Sequence, residues 1–411
     1  MIYLYRILIN VVLILSPIII LLRLLKNKED KTRFKEKLCF FSKKRKKGNL
    51  IWIHVASVGE MLSIIPLIRR LEKKKNINQI LLTSSTLSSS NLFKKFNFNK
   101  TIHQFFPIDV GYLTKKFLNY WKPNLVLFVE SEIWPNMLTY LNNYSIKCVL
   151  LNARLTKKSF NRWVKFRSLS SKLFKSFYSV YPQNEETRIF LKKLGCKKII
   201  KLGNLKFSDI NENFKPVLNK NIIKNKKIWC ASSTHSTEEI IAAKTHKKLK
   251  SKLKNIFTII IPRHVDRSNQ IVQSIKKLNL NVQLHSLKKK IEKNTDIYIV
   301  DTYGETKNFF KKSNTVFLGG SLINHGGQNP LEAARFGCKI LHGKHISNFR
   351  EIYSLLKKNN QSFQINSQNH LDYIVKKSLI NKYKPAIFIE RLNKIGDKIL
   401  KKTEEEITKL I

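Results

Sequence analysis

The chain has 411 residues, more than a single hydrophobic core usually serves, so at least two domains are expected. Its formal charge of +51 would suit a nucleic-acid-binding protein, but the excess is mostly Lys, spread along the whole chain with abundant Asn and Ile, as an A+T-rich genome produces. The five cysteines form no C-x-x-C pair, so neither a zinc site nor a disulfide framework is predicted, and a reduced, cytosolic compartment is expected.

The chain begins with an apolar segment. Residues 7–22 are nearly all apolar, and counting Leu4 to Leu25 gives the length that a membrane span requires. Residues 1–25 are therefore predicted to be a membrane anchor, and the pattern leaves open whether it spans the bilayer or lies in the interface. The alternative is a buried amphipathic helix followed by a solvated Lys tail.

The segment 26–48 is strongly basic. From Arg23 to Lys47 there are twelve basic and three acidic residues. By the positive-inside rule, this flank and everything after it are expected on the cytoplasmic side of the membrane.

Strands and helices then alternate through residues 49–215. Short apolar runs predict strands, and a helix with apolar periodicity is predicted from Val58 to Leu71. The predicted strands are Leu50–Val55, Gln79–Thr83, Asn124–Val129 and Ile146–Leu151. Such alternation is typical of a parallel sheet covered on both faces.

The alternation restarts in residues 216–384, after a polar stretch that contains Pro216. Ser232, Ser233 or Thr234 followed by Glu238 is interpreted as a capping box. The predicted strands are Lys227–Ala231, Asn255–Ile261, Asp296–Val300 and Thr315–Leu318. Two doubly wound α/β domains follow, and the helical stretch 385–411 is expected to pack back on the first of them.

A glycine-rich run extends from Phe317 to Glu332. Gly319-Gly320 and Gly326-Gly327 allow positive φ and a close approach of the backbone to a ligand. Asn329 as N-cap and Pro330 at the first helical position predict a helix N-terminus, which suits a phosphate. Glu332 could accept hydrogen bonds from ribose hydroxyls. A plain glycine-rich turn with a capping carboxylate is the alternative.

Most polar clusters in the chain follow the ends of predicted strands, where open α/β sheets bind their ligands. Acidic groups dominate in the first domain, whereas basic and nucleotide-binding groups dominate in the second. This distribution favours group transfer from an activated nucleotide in a central cleft that the two domains face.

The polar clusters occur along the chain in this order: Trp52 to Glu60, Glu130 to Asn136, Asn152 to Arg154 with Ser159 and Arg162, Gly203 to Lys206, Ser233 to His235, Pro262 to His264, Gly304-Glu305 and Gly319 to Glu332. In this order they resemble the motifs of the 3-deoxy-D-manno-octulosonic acid (Kdo) transferases of lipopolysaccharide synthesis. The resemblance covers essentially the whole chain, and the set of motifs is far more specific than any one of them.

This resemblance implies a GT-B fold of two Rossmann-like domains, CMP-Kdo as donor and lipid IV-A at the inner leaflet of the bacterial inner membrane as acceptor. It also implies an inverting transfer that needs no metal and no cofactor. Glu60 is implied as the general base, and Glu130 and Lys206 as groups that stabilise the transition state. Without the resemblance, a first-turn Glu, a helix charge and a solvated Lys would be the simpler interpretations.

The resemblance also assigns CMP-binding segments to the second domain. They contain Pro262, Arg263, Tyr303, Gly304, Glu305, Asn329, Pro330, Leu331 and Glu332. Arg263 offers a planar fork of donors to a phosphate. Tyr303 stands where the family usually has Met, and Pro330 where an apolar residue is common, which leaves the donor affinity less certain.

Several residues are weaker candidates for contacts with the phosphates and carboxylate of the substrates: Ser57, Arg154, Ser159, Arg162 and His345. For each of them a structural role is equally compatible with the sequence. His342 and His345 lack a carboxylate or Cys partner in the sequence, so no metal site is predicted.

Two other functions compete with this one. Another membrane-associated GT-B glycosyltransferase with a different nucleotide-sugar donor would share most of these features. A basic, membrane-tethered nucleic-acid-binding protein would place aromatic residues among exposed basic ones. The aromatic residues here lie mostly in apolar strand and helix patterns, so no nucleic-acid partner is expected.

Overall fold

The computed structural model describes residues 2–208, 225–287, 290–381 and 386–411. The chain divides into two units, one of Met1–Ile210 with Asn393–Ile411 and one of Asn211–Leu392. The boundaries predicted at 215–216 and 384–385 both lie outside the described residues.

The first unit is built on a parallel sheet of six strands in the order β3-β2-β1-β4-β5-β6. The strands are β1 Leu50–Val55, β2 Gln79–Ser84, β3 Thr101–Phe105, β4 Leu125–Val129, β5 Lys147–Ala153 and β6 Ser179–Pro182. The helices are α1 Ile2–Leu25, α2 Val58–Leu71, α3 Leu87–Phe93, α4 Gly111–Trp121, α5 Pro135–Asn143, α6 Lys157–Lys165, α7 Arg167–Lys175 and α8 Glu185–Lys193, with short 3-10 turns at Arg33–Leu38 and Leu205–Phe207.

Both faces of this sheet are buried, as a parallel sheet requires. Successive residues of β1 point to opposite faces, so Trp52 joins one core cluster and Ile53 the other. Their neighbours Val126 and Leu127 on β4 divide between the clusters in the same way. This pattern explains why the strands are continuous apolar runs in the sequence.

The second unit is built on a parallel sheet of seven strands in the order β13-β12-β11-β7-β8-β10-β9. The strands are β7 Lys227–Thr234, β8 Ile256–Pro262, β9 Val282–Leu284, β10 Ile297–Ile299, β11 Thr315–Leu318, β12 Lys339–His342 and β13 Ser362–Gln364. The helices are α9 Glu238–Lys250, α10 Ser268–Lys276, α11 Thr306–Phe310, α12 Leu331–Arg335, α13 Arg350–Lys358 and α14 Gln368–Ile380, with a 3-10 turn at Val265–Arg267.

The last helix, α15, spans Ala386–Thr408, and its carboxyl-terminal half belongs to the first unit. Ile399, Leu400 and Ile407 share a core cluster with the apolar face of α2. The Glu404 carboxylate forms ion pairs with Arg70 at 3.2 Å and with Lys74 at 2.8 Å. These ion pairs lie at the edge of the packed apolar surface.

The first helix, α1, has 24 residues, a mean hydropathy of 2.7 and only 11% of its most apolar stretch buried. By length and composition it could cross a membrane.

Candidate functional site

Three carboxylates follow strands β1 and β4 at the carboxyl edge of the first sheet. These two strands are neighbours in parallel register, with His54 beside Phe128. Glu60 therefore begins α2 close to the loop that carries Glu130 and Glu132.

Glu60 lies in the first turn of α2, and hydrogen bonds hold both of its carboxylate oxygens. Ser57 is the N-cap of α2, and its hydroxyl donates to Glu60 Oε1 at 3.0 Å. The Ala56 N–H donates to Glu60 Oε2 at 2.7 Å. Burial, followed by the negative charges of Glu130 and Glu132, raises the pKa of Glu60 from 4.5 to about 7. These effects outweigh the hydrogen bonds, which favour the ionised form, and give a carboxylate suited to exchange a proton near neutral pH.

Glu130 pairs with Lys206. Its backbone has a φ of +61°, which is uncommon for a residue with a side chain and is often found at functional sites. The Lys206 Nζ lies 2.5 Å from Glu130 Oε1, and both side chains are largely buried. The structure thus brings these two predicted residues into direct contact.

Asparagine side chains position the turn that carries Lys206. Asn204 Oδ1 accepts the Lys206 N–H at 3.0 Å, and Asn152 Oδ1 accepts the Leu205 N–H at 3.0 Å. Gly203 has a φ of +112°, and a Cβ there would lie 2.8 Å from the side chain of Ile399. The sequence Gly203-Asn-Leu-Lys206 is therefore required by local geometry as well as by the lysine it presents.

Sequence reasoning assigned no role to Glu132, although it lies within a motif used for the resemblance. Its Oε2 accepts Trp134 Nε1 at 2.9 Å and lies 3.1 Å from His54 Nε2. His54 is fully buried, with Nδ1 at 3.0 Å from Thr83 Oγ1. The tautomer with the proton on Nε2 satisfies both contacts. Trp134 and His54 thus hold Glu132 in a position from which its negative charge raises the pKa of Glu60.

The weaker candidates of the first unit divide into two places. The Arg154 N–H donates to the Glu130 carbonyl at 3.1 Å, so Arg154 adjoins the carboxylate cluster, as does Ser57. Ser159 and Arg162 lie on α6, where Arg162 is exposed and its Nη2 is 3.4 Å from Ser159 Oγ.

In the second unit, one buried carboxylate organises the glycine-rich run. Glu238 accepts the N–H groups of His235 at 2.9 Å, Gly320 at 2.8 Å, Ser321 at 3.2 Å and Leu322 at 3.1 Å. The capping-box interpretation is wrong in detail, because Thr237 is the N-cap of α9 without a side-chain hydrogen bond. Glu238 therefore binds backbone N–H groups of the glycine-rich run that the sequence alone suggests for a ligand.

The glycines allow this close packing. A Cβ at Gly319 would lie 2.4 Å from the Ser233 carbonyl oxygen, and Gly320 has a φ of +65°. The run between Gly320 and Gly327 is closed by the Gly327 N–H, which donates to the Gly320 carbonyl at 2.8 Å. The backbone of His345 packs beside the run, and the His345 N–H donates to the Ser321 carbonyl at 3.0 Å.

The helix expected at Pro330 begins one residue later, at Leu331. The N-cap is therefore Pro330 and not the predicted Asn329. Asn329 lies one residue earlier, and its Oδ1 accepts the Leu331 N–H at 3.1 Å. Pro330 is buried, and the half-buried Glu332 lies in the first turn of α12, which is only a short helix of Leu331–Arg335.

Pro262 ends β8, and the exposed Arg263 follows it, its N–H donating to the Thr234 carbonyl at 2.9 Å. Strand β8 lies beside β7, so Arg263 adjoins His235. The latter is 8% exposed, and its Nε2 has no hydrogen-bond partner among the described residues. Burial and the neighbouring His325, His264 and arginines lower the pKa of His235 to about 4.

The third predicted segment of the second unit follows β10. Tyr303 and Gly304 are exposed, whereas Glu305 is held by His285 Nε2 at 2.9 Å and by the Thr302 hydroxyl. The described residues contain no group of three His, Cys, Asp or Glu side chains that could hold a metal ion.

Comparisons with known proteins indicate the same family over most of the chain. A family model described as 3-deoxy-D-manno-octulosonic-acid transferase (kdotransferase) matches residues 32–209. The 3-deoxy-D-manno-octulosonic acid transferase of Rickettsia bellii is 34% identical over 93% of this chain and 94% of its own length. That of Haemophilus influenzae is 29% identical over 88% of this chain and 85% of its own length.

Solved structures match the fold at low sequence identity. UDP-GlcNAc 2-epimerase from Neisseria meningitidis has a TM-score of 0.57 at 12% identity and covers 88% of this chain and 99% of its own. The glycotransferase of kitacinnamycin has a TM-score of 0.54 at 9% identity and covers 89% and 100%. The predicted α/β class of GT-B type, with two Rossmann-like domains, is confirmed. The extent and identity of the match to the Rickettsia bellii enzyme show that this chain belongs to the 3-deoxy-D-manno-octulosonic acid transferases, a family of glycosyltransferases.

Proposed function

We propose that this protein transfers Kdo from CMP-Kdo to lipid IV-A in lipopolysaccharide biosynthesis, with inversion and without a metal. The observation that carries the mechanism is Glu60, whose pKa is raised to about 7 beside the Glu130–Lys206 pair. Membership of the family supports the transferred sugar.

In this mechanism Glu60 acts as the general base. A hydroxyl of the acceptor attacks the anomeric carbon of Kdo, and Glu60 takes its proton as the new C–O bond forms. The bond from that carbon to the phosphate oxygen breaks, and CMP leaves with the bonding electrons. Because attack and departure occur on opposite faces in one step, the configuration inverts.

Glu130 and Lys206 stabilise the two charges that develop in this step. The sugar carbon gains oxocarbenium-like character, which a carboxylate favours, while the leaving phosphate gains negative charge, which an ammonium favours. Their mutual contact at 2.5 Å supports the assignment, since each holds the other in a largely buried place. No metal is then needed to neutralise the phosphate.

The donor is proposed to bind the second unit. Arg263 would take the phosphate, whereas the segments at Tyr303–Glu305 and Asn329–Glu332 would take the cytidine, with Glu332 on the ribose. Arg263 is exposed and follows a strand end, where α/β sheets bind ligands. Turnover requires the anomeric carbon of the bound donor to come within reach of Glu60.

The protein is proposed to work at the cytoplasmic face of the bacterial inner membrane, where a lipid acceptor is accessible. The apolar helix α1 and the basic segment 26–48 support this location, since Lys and Arg favour the cytoplasmic side.

A reaction with CMP-Kdo and lipid IV-A tests the proposal. The expected result is a product heavier by one or more Kdo residues, with one CMP released for each. Glu60→Gln should abolish transfer while leaving the fold and CMP binding intact. Release of UDP from a UDP-sugar instead, with no turnover of CMP-Kdo, would overturn the donor assignment.

A further inference from the structure

Helix α1 is packed along the first unit rather than projecting from it. Its protected residues recur every three or four positions: Tyr5, Ile9, Leu13, Ser16 and Ile20. They form one stripe of a helix, about 22 Å long at a rise of 1.5 Å per residue. Ile9 and Leu13 pack against the core cluster of the first unit.

Polar contacts fix both ends of this helix. The Tyr5 hydroxyl donates to Asp109 Oδ2 at 2.7 Å, and Arg6 Nε donates to Asn136 Oδ1 at 3.1 Å. At the other end, Arg23 Nε donates to Glu29 Oε2 at 2.9 Å, and that carboxylate also accepts Lys37. The helix is therefore attached along its length.

The opposite face of α1 is apolar and exposed. Leu8 is 58% exposed, Ile14 76%, Leu15 45% and Leu22 51%. Exposed apolar surface that is continuous over so many turns marks an interaction site.

A cluster of positive charge follows α1 in the chain. Immediately after α1 come Lys26, Lys28, Lys31 and Lys35, all exposed. Juxtamembrane clusters of this kind are attracted to anionic lipid headgroups. The apolar face of α1 and the lysines that follow it together fit the surface of an anionic bilayer.

A membrane-crossing orientation conflicts with these contacts. A spanning helix is immersed in hydrocarbon through about 30 Å, so the structure packed along its stripe would enter the bilayer as well. That structure includes the carboxylate of Asp109, which also accepts the N–H groups of Asn136 and Met137 at the start of α5. Polar groups of this kind belong outside the hydrocarbon.

We propose that α1 lies flat in the headgroup region of an anionic bilayer, its exposed face in the lipid and its stripe on the first unit, without crossing the membrane. The inference rests on the membrane location in the proposed function but not on the reaction. Because Asp109 joins Tyr5 to the start of α5, directly after the Glu130–Trp134 loop, the bilayer-bound helix is continuous with the carboxylate cluster.

Spin labels test the orientation. Single cysteines replace Leu8, Leu15 and Leu22 in the full chain, which share one face because they are seven residues apart. The native cysteines are buried, so labelling is directed to the new ones. Depth is measured by power saturation on vesicles of phosphatidylethanolamine and phosphatidylglycerol.

A flat helix predicts the same shallow depth for all three labels. A spanning helix would overturn the proposal, because Leu8 and Leu22, about 21 Å apart along the axis, would then lie near opposite leaflets with Leu15 deepest. Labels that remain in water on these vesicles, or that are covered by a second copy of the chain without lipid, would overturn it too.

The position of the amino terminus gives a second measurement. Tyr3→Cys, at a residue that is 74% exposed, should resist a membrane-impermeant maleimide in intact spheroplasts and react after permeabilisation. Reaction in intact spheroplasts would contradict the flat orientation. Transfer by the wild-type chain is assayed separately, so absence of that reaction together with the predicted depths would count against the proposed function alone.

Discussion

The pH dependence of transfer should report the ionisation of Glu60. A protonated carboxyl cannot accept a proton, so activity is lost as pH falls through the pKa of about 7. The ionised fraction is then about 9% at pH 6 and about 91% at pH 8, which predicts a roughly tenfold rise in rate. An ordinary glutamate would be fully ionised over this range and would give a flat profile.

Glu132→Gln tests the cause of this raised pKa. The variant removes a negative charge that raises the pKa of Glu60, while the Gln carbonyl can still accept from Trp134. The midpoint of the profile should therefore move to lower pH. Glu186→Gln removes an equal charge from an exposed site of the same unit and should leave the midpoint unchanged.

The assay is single-turnover transfer with saturating CMP-Kdo, measured as labelled lipid product at intervals between pH 5.5 and 8.5. Single turnover isolates the chemical step from product release. A rate independent of pH through this range, or a midpoint that rises in Glu132→Gln, would refute the reasoning about Glu60.

Substitutions at Lys206, Glu238 and Glu332 should each change a measurable property. Lys206→Met should lower the rate of transfer by about 10²–10³-fold, the usual effect of losing one electrostatic stabiliser, whereas Lys201→Met, at an exposed lysine, should keep the wild-type rate. Glu238→Gln should lower the thermal unfolding midpoint and weaken CMP binding together, because a neutral amide cannot hold the four N–H groups that Glu238 accepts; an unchanged midpoint would contradict this role. Glu332→Ala should weaken CMP binding by about 1–3 kcal/mol in calorimetry, as loss of a desolvated polar pair does, and an unchanged titration would exclude the ribose contact.

Elements with a strong local signal were predictable from the sequence. Strand β1 and helix α2 have the predicted bounds, Leu50–Val55 and Val58–Leu71, because an apolar run leads directly into a Ser57 cap. Strand β3 was missed, since Thr101–Phe105 contains His103 and Gln104. Both are buried. Arg33 donates to His103 Nδ1, so the Nε2–H of the same ring donates to Ser84 Oγ, and no local pattern reveals these contacts.

The site was predictable only in part for the same reason. The Glu130–Lys206 contact joins residues from two separate motifs. The resemblance implies a role for each of them, but their contact is visible only in the structure. The role of Glu132 depends on the buried His54, 78 residues earlier in the chain. In the same way, Glu238 is interpreted from the sequence as a capping residue, yet most of its hydrogen-bond donors lie more than 80 residues away.

The most direct measurement of the central claim is the mass of the lipid product formed from CMP-Kdo and lipid IV-A by the wild-type protein and by Glu60→Gln. The proposed mechanism predicts addition of Kdo with stoichiometric CMP by the wild type, and neither by the variant although it still binds CMP. Transfer by Glu60→Gln at a rate near that of the wild type would contradict the mechanism.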